Sequence, residues 1–246
     1  MDNKDLFTGK SEDYSGFRPS YPAAAVDWLR KKNSGEQVLD VGAGTGIFTK
    51  LLLRCFRSVT ALEPNGDMRR EFMRLLPEIP CLESSGEATT LPAHSVDLVT
   101  VAQAFHWLDE EKFKKEMMRI LRPEGKTAII WNTSLKTPFS TDRDRVSQKY
   151  CPRFRSGHAG KRSAAEGDIF LREIYFRQVE VVSFSNPFPM DRCTFLGNIR
   201  SRSYAPAPGD EAYENFMAEQ NTVFERYAKD GIVTEEQETQ IYLGSF

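Results

Sequence analysis

The sequence predicts an α/β fold: a mostly parallel sheet with helices on both faces. Three observations carry that expectation. Short apolar strands alternate with helical patterns through the first two-thirds of the 246 residues, the signature of βαβ units. The segment Val96-Asp-Leu-Val-Thr-Val-Ala102 is apolar on both faces, as an interior parallel strand must be. About two-fifths of the chain is apolar, enough to cover one sheet twice, yet no run approaches the roughly 18 apolar residues of a membrane span.

The elements follow in order. Pro22 to Lys32 is a first helix, opened by proline, with Ala23, Val26, Trp28 and Leu29 on its apolar face. Gln37–Val41 is a first buried strand, and a helix over Ile47–Phe56 follows a glycine turn directly. Ser58–Leu62 is a second strand, and Asn65–Leu76 a second such helix, stopped by Pro77. A third, weak strand lies at Cys81-Leu82-Glu83, and Val96–Ala102 is the fourth. The next helix begins after Asp109 as N-cap, carries Glu110 and Glu111 in its first turn and Arg119 in its last, and ends at Pro123-Glu124-Gly125. Lys126–Trp131 is a fifth strand.

Beyond it the pattern changes. Residues 136–162 show no apolar period and hold eight basic against two acidic residues. A helix near Asp168–Phe176 leads to a strand at Val179–Phe184 and a proline-containing linker over Asn186–Met190. Helical patterns over Arg192–Ser201 and Asp210–Lys229 precede a terminal strand at Gln240–Phe246. The expected organisation is a single domain over 1–246. It comprises an N-terminal arm and helix (1–34), a cofactor-binding core (35–133) and a helical lid (186–230) between the last two strands.

Charge and cysteine usage limit the function classes. The formal charge of −2 offers no global attraction to nucleic acid or anionic membrane. The four cysteines, Cys55, Cys81, Cys151 and Cys193, are widely spaced, so the expectation is reduced thiols, no metal site and a cytoplasmic location. The N-terminus has no hydrophobic stretch resembling a secretory signal.

The chemistry-bearing feature is Asp40-Val41-Gly42-Ala43-Gly44-Thr45-Gly46, a strand end running through three glycines into a helix. Glycines there let backbone approach a ligand, and the exposed N–H groups of the helix face it. The same turn could simply make a tight corner. Glu63 ends the next strand about twenty residues on, where a carboxylate can accept from both hydroxyls of a ribose. The spacing is G-x-G-x-G, not the G-x-G-x-x-G of dinucleotide sites, which disfavours a nicotinamide dehydrogenase.

The wording of this turn resembles the first motif of the class I S-adenosylmethionine-dependent methyltransferases. Leu62-Glu63-Pro64-Asn65-Gly66-Asp67-Met68 resembles their second motif, in which the acid holds the ribose and the methionine flanks the adenine. Gly86-Glu87-Ala88, followed by Leu91-Pro92 and Ser95–Val99, resembles their third, with Glu87 placed for the adenine amino group. Ala102-Gln103-Ala104-Phe105-His106-Trp107 and Leu121–Gly125 are similarly placed. The likeness is close over 7–133 and architectural beyond. It implies a Rossmann-like sheet of seven strands with an antiparallel last strand, and S-adenosylmethionine as cofactor. It also implies cofactor contacts from Asp40, Gly42, Ala43, Gly44, Gly46, Glu63, Pro64, Met68, Gly86, Glu87, Ala88, Ala102 and Gln103. Tyr14-Ser-Gly-Phe-Arg18-Pro-Ser-Tyr21-Pro with the Phe-His-Trp segment resembles a branch that includes trans-aconitate-type small-acid methyltransferases.

The expected reaction is methyl transfer to a carboxylate or hydroxyl oxygen of a small, anionic or oxygen-bearing metabolite, driven by proximity. His106 is the candidate general base for a protonated acceptor, or else a histidine packed beside Trp107. Tyr14 and Arg18 are placed on the cofactor side, with Arg18 either clamping a carboxylate or docking the arm. The basic stretch Arg153–Arg162 is either an anion recogniser or a solvated loop. Of the insert aromatics Tyr204, Tyr213, Phe216 and Phe224, most are expected to pack and one or two to face the acceptor. The expected assembly is a monomer or weak dimer without nucleic-acid or membrane partners. Two other readings are a non-catalytic cofactor-binding sensor or partner subunit, and a methyltransferase of nucleic acid or protein. Ala-Gln-Ala-Phe-His-Trp is not the Asn/Asp-Pro-Pro-aromatic segment used on base amines.

Overall fold

The computed structural model describes residues 11–154 and 164–246. Seven strands form one sheet: β1 (Gln37–Val41), β2 (Ser58–Leu62), β3 (Cys81–Leu82), β4 (Val96–Ala102), β5 (Leu121–Ser134), β6 (Gln178–Ser185) and β9 (Gln237–Ser245). Their order is β3-β2-β1-β4-β5-β9-β6. The β1–β2, β2–β3, β1–β4 and β4–β5 pairs are parallel, and β9 lies antiparallel between β5 and β6. This is the Rossmann-like sheet with an antiparallel last strand that the resemblance implies.

Strand alternation sends neighbouring residues to opposite faces. Val38, Leu98, Ala128, Ile130 and Ile241 meet Ala25, Val26 and Leu29 of α2 (Ala23–Lys32) and Phe48 and Leu52 of α3 (Ile47–Leu52). Leu39, Val99, Val101, Ile129 and Tyr242 face the other way, onto Phe113, Met117 and Ile120 of α5 (Glu110–Ile120). A central strand apolar on both sides therefore supplies two cores. The strand order reverses between β1 and β4, and at such a switch point open α/β sheets bind ligands outside the strands' carboxyl ends.

The helix caps follow local chemistry. Asn65 precedes α4 (Gly66–Leu75) and its Oδ1 accepts from the N–H groups of Asp67 and Met68, so it caps the helix that was expected to include it. Asp109 caps α5 by accepting from the Lys112 N–H. The helix after the glycine turn stops at Leu52, short of the expected Phe56. Pro123-Glu124-Gly125 lies within β5, which is already extended at Leu121 and shifts register against β4 between Val96 and Leu98.

The larger departures lie elsewhere. The arm contains a helix, α1 (Ser11–Phe17). Residues 138–150, expected to be irregular, form α6 (Pro138–Tyr150), opened by a capping box between Thr137 and Ser140. Its buried positions are Phe139, Ser140, Arg143 and Ser147, correctly spaced for a helix face but mostly polar, so apolar periodicity could not reveal it. Before β6, α7 (Ala164–Ile169) passes into a π-helical turn over Phe170–Tyr175. The supposed linker holds β7 (Phe188–Met190), paired antiparallel with β8 (Val233–Glu235) in a small second sheet. Pro189 is tolerated there because each strand of a two-stranded sheet is an edge.

Between these two short strands lie α8 (Arg192–Arg200) and α9 (Tyr213–Tyr227). Phe195, Ile199, Phe216 and Phe224 pack with Phe139 and Cys151 at the two ends of α6, and with Met190 and Val233, as a third core. The helical insert is therefore not limited to 186–230; α6 belongs to it by packing. The expected basic stretch lies outside the described residues from 155 to 162.

Candidate functional site

Asp40 occupies the carboxyl end of β1, almost fully buried. Its Oδ2 accepts from Thr49 Oγ1 at 2.6 Å and its Oδ1 from Thr100 Oγ1 at 2.7 Å. Burial pushes its pKa up to about 6, a shift the two hydroxyl bonds only moderate. Among the described residues Asp40 has no cationic partner. The carboxylate thus ties β1 to α3 and β4 while leaving its negative charge unneutralised.

The turn that follows needs its glycines for defined reasons. Gly42, Gly44 and Gly46 have φ of +66°, +59° and +89°, the left-handed region. A Cβ on Gly42 would sit 2.5 Å from that of Ala104, and one on Gly46 would sit 2.7 Å from Leu76 Cδ1. Those two are therefore required by the protein's own packing. At Gly44 a Cβ would meet only Tyr14, at an ordinary 3.7 Å, so there the requirement is the backbone conformation alone.

Glu63, 6% exposed, braces this turn. Its Oε2 accepts from the Gly44 N–H at 2.8 Å and its Oε1 from the Asn65 N–H at 2.7 Å. Burial raises its pKa, opposed by those two bonds and by the more distant Arg69. A carboxylate has about four lone-pair sites, so two accepted bonds leave capacity for ligand donors.

From β4 the chain enters Gln103 at φ +58°, a costly conformation for a residue with a side chain. Two bonds hold it: its N–H donates to the Ile130 carbonyl at 2.9 Å, and Nε2 to the Asn132 carbonyl at 3.0 Å. A 3-10 turn over Phe105–Trp107 follows. It sets the His106 ring 4.4 Å from that of Trp107 and stacked on Trp131 at 5.2 Å. On the arm, the Arg18 guanidinium lies 4.8 Å over the Tyr14 ring and donates through Nη2 to the Ser201 carbonyl at 3.0 Å.

A cavity of about 690 Å³ opens between the sheet edge and the third core, a size suited to a small-molecule site. Of the residues singled out from sequence, Tyr14, Arg18, Asp40, Gly42, Ala43, Ala102, Gln103 and His106 line it, as does Trp107. Gly44, Gly46 and Glu63 are not among the lining residues. Pro64 and Met68 also lie outside the lining, the latter buried at the start of α4. Gly86 packs against Val41 and Phe113, Glu87 accepts from the Asp109 N–H at 2.9 Å, and Ala88 follows it; none of these three lines the cavity.

Apart from Tyr204, sequence reasoning missed the opposite wall. Ser140, Arg143, Asp144 and Gln148 come from α6, and Arg202 and Tyr204 from the turns after α8. Tyr204 is the one insert aromatic of the four named that reaches the cavity; Phe216 and Phe224 are core. Arg143 is almost fully buried, bonded to Glu235 and, at 2.7 Å, to Asp144, so its charge is neutralised within the protein. No motif announces these residues; the capping signature Thr137-Pro138-Phe139-Ser140 was the only local sign of the helix that carries them.

The cavity fits the expected cofactor in charge as well as size. S-adenosylmethionine carries an ammonium and a sulfonium beside one carboxylate, and the sheet edge offers the uncompensated Asp40 carboxylate with aromatic faces at Trp107 and Trp131. Among the described residues there is no cluster of His, Cys, Asp or Glu able to hold a metal ion, and no helix long and apolar enough to cross a membrane.

Comparison with known proteins agrees. Residues 39–129 match the family described as methyltransferase domain. An uncharacterized methyltransferase of Mycobacterium tuberculosis is 41% identical over 120 residues, which is 49% of each chain. One of Schizosaccharomyces pombe, described as methyltransferase-like, is 36% identical over 135 residues, 52% of this chain and 53% of the relative. The chain spans about half the length of these curated relatives. A candidate type II methyltransferase from Anaeromyxobacter dehalogenans superposes with a TM-score of 0.67 over 93% of this chain and 96% of its own, a likeness of fold at 22% identity. Residues 39–129 are accordingly similar to a methyltransferase domain, and the sheet around them has a fold seen in methyltransferases.

Proposed function

We propose that the protein transfers a methyl group from S-adenosylmethionine to a carboxylate or hydroxyl oxygen of a small metabolite, after the manner of the trans-aconitate-type branch. The observation that carries this reading is Asp40: a buried carboxylate bonded only to hydroxyls, facing a cavity of metabolite size. When bound, S-adenosylmethionine supplies an electrophilic methyl on a positively charged sulfur.

The chain's own residues then have three tasks. Asp40 and Glu63 bind: the first offers a charge to the ammonium, the second its spare lone pairs to the ribose hydroxyls. Gly42 and Ala43 hold backbone against the ligand while donating to the Leu62 carbonyl at 2.9 and 3.0 Å, which fixes the turn. Tyr14, Trp107, Trp131 and Tyr204 wall the cavity and exclude water, so that alignment of acceptor and methyl does most of the work. A carboxylate acceptor needs no base. A hydroxyl acceptor would use His106, whose ring borders the cavity. A cavity of about 690 Å³ favours a small acceptor over nucleic acid, and we place the protein in the cytoplasm as a monomer or weak dimer.

Isothermal calorimetry with S-adenosylhomocysteine tests the cofactor, and transfer of labelled methyl into a metabolite extract tests the reaction. Binding together with label in a small, base-labile or ether-like product is expected. Absence of binding at millimolar ligand would overturn the reading; binding without transfer would favour the sensor alternative.

A further inference from the structure

The wall opposite the sheet edge includes α6, whose more exposed polar stripe faces the cavity. Ser140, Arg143 and Ser147 are its buried positions, while Thr141, Asp144 and Gln148, at three- and four-residue spacing, line the cavity from less buried ones. Packing fixes the helix: Gln220 of α9, fully buried, donates through Nε2 to the Arg143 carbonyl at 3.1 Å.

Arg143 in turn fixes Asp144 through one oxygen. Its Nε and Nη2 both donate to Asp144 Oδ1, at 3.0 and 2.7 Å, and its Nη1 donates to Glu235. The Asp144 charge is thereby matched, yet among the described residues its Oδ2 accepts no hydrogen bond, and the side chain is 25% exposed. A carboxylate clamped by a buried guanidinium is preorganised to receive a donor. One turn on, the Gln148 amide also makes no hydrogen bond among the described residues. Side chains four apart on a helix stand about 5–6 Å apart at Cβ, so one small group can reach both.

The group that satisfies both is a hydroxyl: its O–H donates to Asp144 Oδ2 while its oxygen accepts from Gln148 Nε2. An ammonium would satisfy only the carboxylate, whose charge is already matched. It would also meet Lys136 and Arg18, which line the cavity and have no acidic partner among the described residues. Phe154 and Tyr204, packed edge to face at 4.9 Å, line the cavity as well and offer ring surface beside this polar pair.

We infer that Asp144 and Gln148 form a hydroxyl-binding site in the acceptor half of the cavity, and that the acceptor is a ring-bearing molecule held there through an O–H group. The methyltransferase reading supplies only the word acceptor; the site itself stands on the geometry of α6.

The test titrates benzyl alcohol into the protein, with and without saturating S-adenosylhomocysteine, by ligand-observed NMR. Benzyl methyl ether, which cannot donate, and benzylamine, a cation at neutral pH, are the comparisons. The alcohol should bind in both states and both comparisons more weakly, the ether by about tenfold, the scale of one hydrogen bond to a charged group. Asp144→Asn gives the sharper readout. Arg143 still requires an oxygen, so the new amide turns its NH2 toward the cavity and a donor replaces an acceptor. The preference for alcohol over ether should then shrink to within about twofold, whereas a merely structural Asp144 would leave that ratio unchanged. Should this variant prove unfolded by circular dichroism, Gln148→Met, at an exposed position, should weaken alcohol and ether alike by several-fold. An ether bound as tightly as the alcohol, an unchanged ratio in Asp144→Asn, unchanged binding in Gln148→Met, or no alcohol binding in either state overturns the site. Tighter binding of benzylamine would make the occupant a cation and overturn the hydroxyl. Alcohol displaced by S-adenosylhomocysteine would give the pair to the cofactor half and overturn the acceptor assignment. Failure of S-adenosylhomocysteine to bind sinks the methyltransferase reading, yet the titration without it still decides the site.

Discussion

The two walls of the cavity bury their carboxylates in opposite ways. At the sheet edge, Asp40 and Glu63 are satisfied by neutral donors, two hydroxyls and two backbone N–H groups, and both pKa values are raised. In the third core, Glu235 is satisfied by the Arg143 guanidinium and a serine, and the pull of that cation holds its pKa below the ordinary range despite burial. Neutral donors satisfy geometry without cancelling charge; a guanidinium does both. One wall consequently presents unspent negative charge, and the other spends its acids internally.

The strongest way to break the comparison is at Arg143. Glu235→Ala leaves a buried guanidinium with only Asp144 beside it. Breaking a buried pair from one side costs about 3–5 kcal/mol, read as a fall in the urea midpoint. The double variant Arg143→Met with Glu235→Leu should recover most of that loss, because the desolvation cost disappears with both charges. A single variant as stable as the parent would show that the pair is not what holds β8 to α6.

The second test uses pH and separates the walls by sign. A folded-state pKa of about 6 for Asp40 lies above the ordinary 3.8, so the folded protein binds that proton more tightly than the unfolded chain. The Asp40 contribution is therefore most favourable below about pH 4 and is lost as pH rises through about 6, by on the order of 3 kcal/mol. Glu235, whose pKa is lowered, works the other way: its contribution is present above the ordinary carboxylate range and lost as pH falls. Subtracting the stability profile of Asp40→Asn from that of the parent isolates the first slope. A flat difference between pH 4 and 6 would mean that Asp40 is ionised as easily folded as unfolded, and that its buried charge is compensated after all.

The walls also differ in how far the sequence disclosed them. The sheet edge is made of contiguous signals: apolar strands, a glycine turn, an acid at the next strand end. Each is local, so its parts could be placed from residue pattern and resemblance. The cavity residues Asp40, Gly42, Ala43, Ala102 and Gln103 were legible for that reason. The opposite wall is assembled from α6 and the turn after α8, segments that meet only through tertiary packing. Its key helix buries Ser140, Arg143 and Ser147, which a hydrophobic period cannot find, and β7 hides in a proline-bearing stretch that composition marks as a linker. Arg202 lies in no motif at all. The bracing role of Glu63 was equally hidden, because the sequence shows an acid at a strand end but not which backbone N–H groups reach it.

That dual position of Glu63 gives the finest test. Glu63→Gln preserves shape but turns one of the two oxygens into an NH2 group, which must then face either the Gly44 or the Asn65 N–H, both now within 2.8 Å of an acceptor. The lost charge-assisted bond costs about 1–2 kcal/mol, and relief of carboxylate desolvation offsets part of it, so the urea midpoint should fall only slightly. If the remaining lone pairs hold the ribose hydroxyls, S-adenosylhomocysteine affinity should drop by about tenfold, the scale of one charged hydrogen bond. Calorimetry of the folded variant separates the two effects. Unchanged affinity with reduced stability would leave Glu63 as a brace of the glycine turn and nothing more, and the sheet edge would then hold its ligand through Asp40 and the backbone of Gly42 and Ala43.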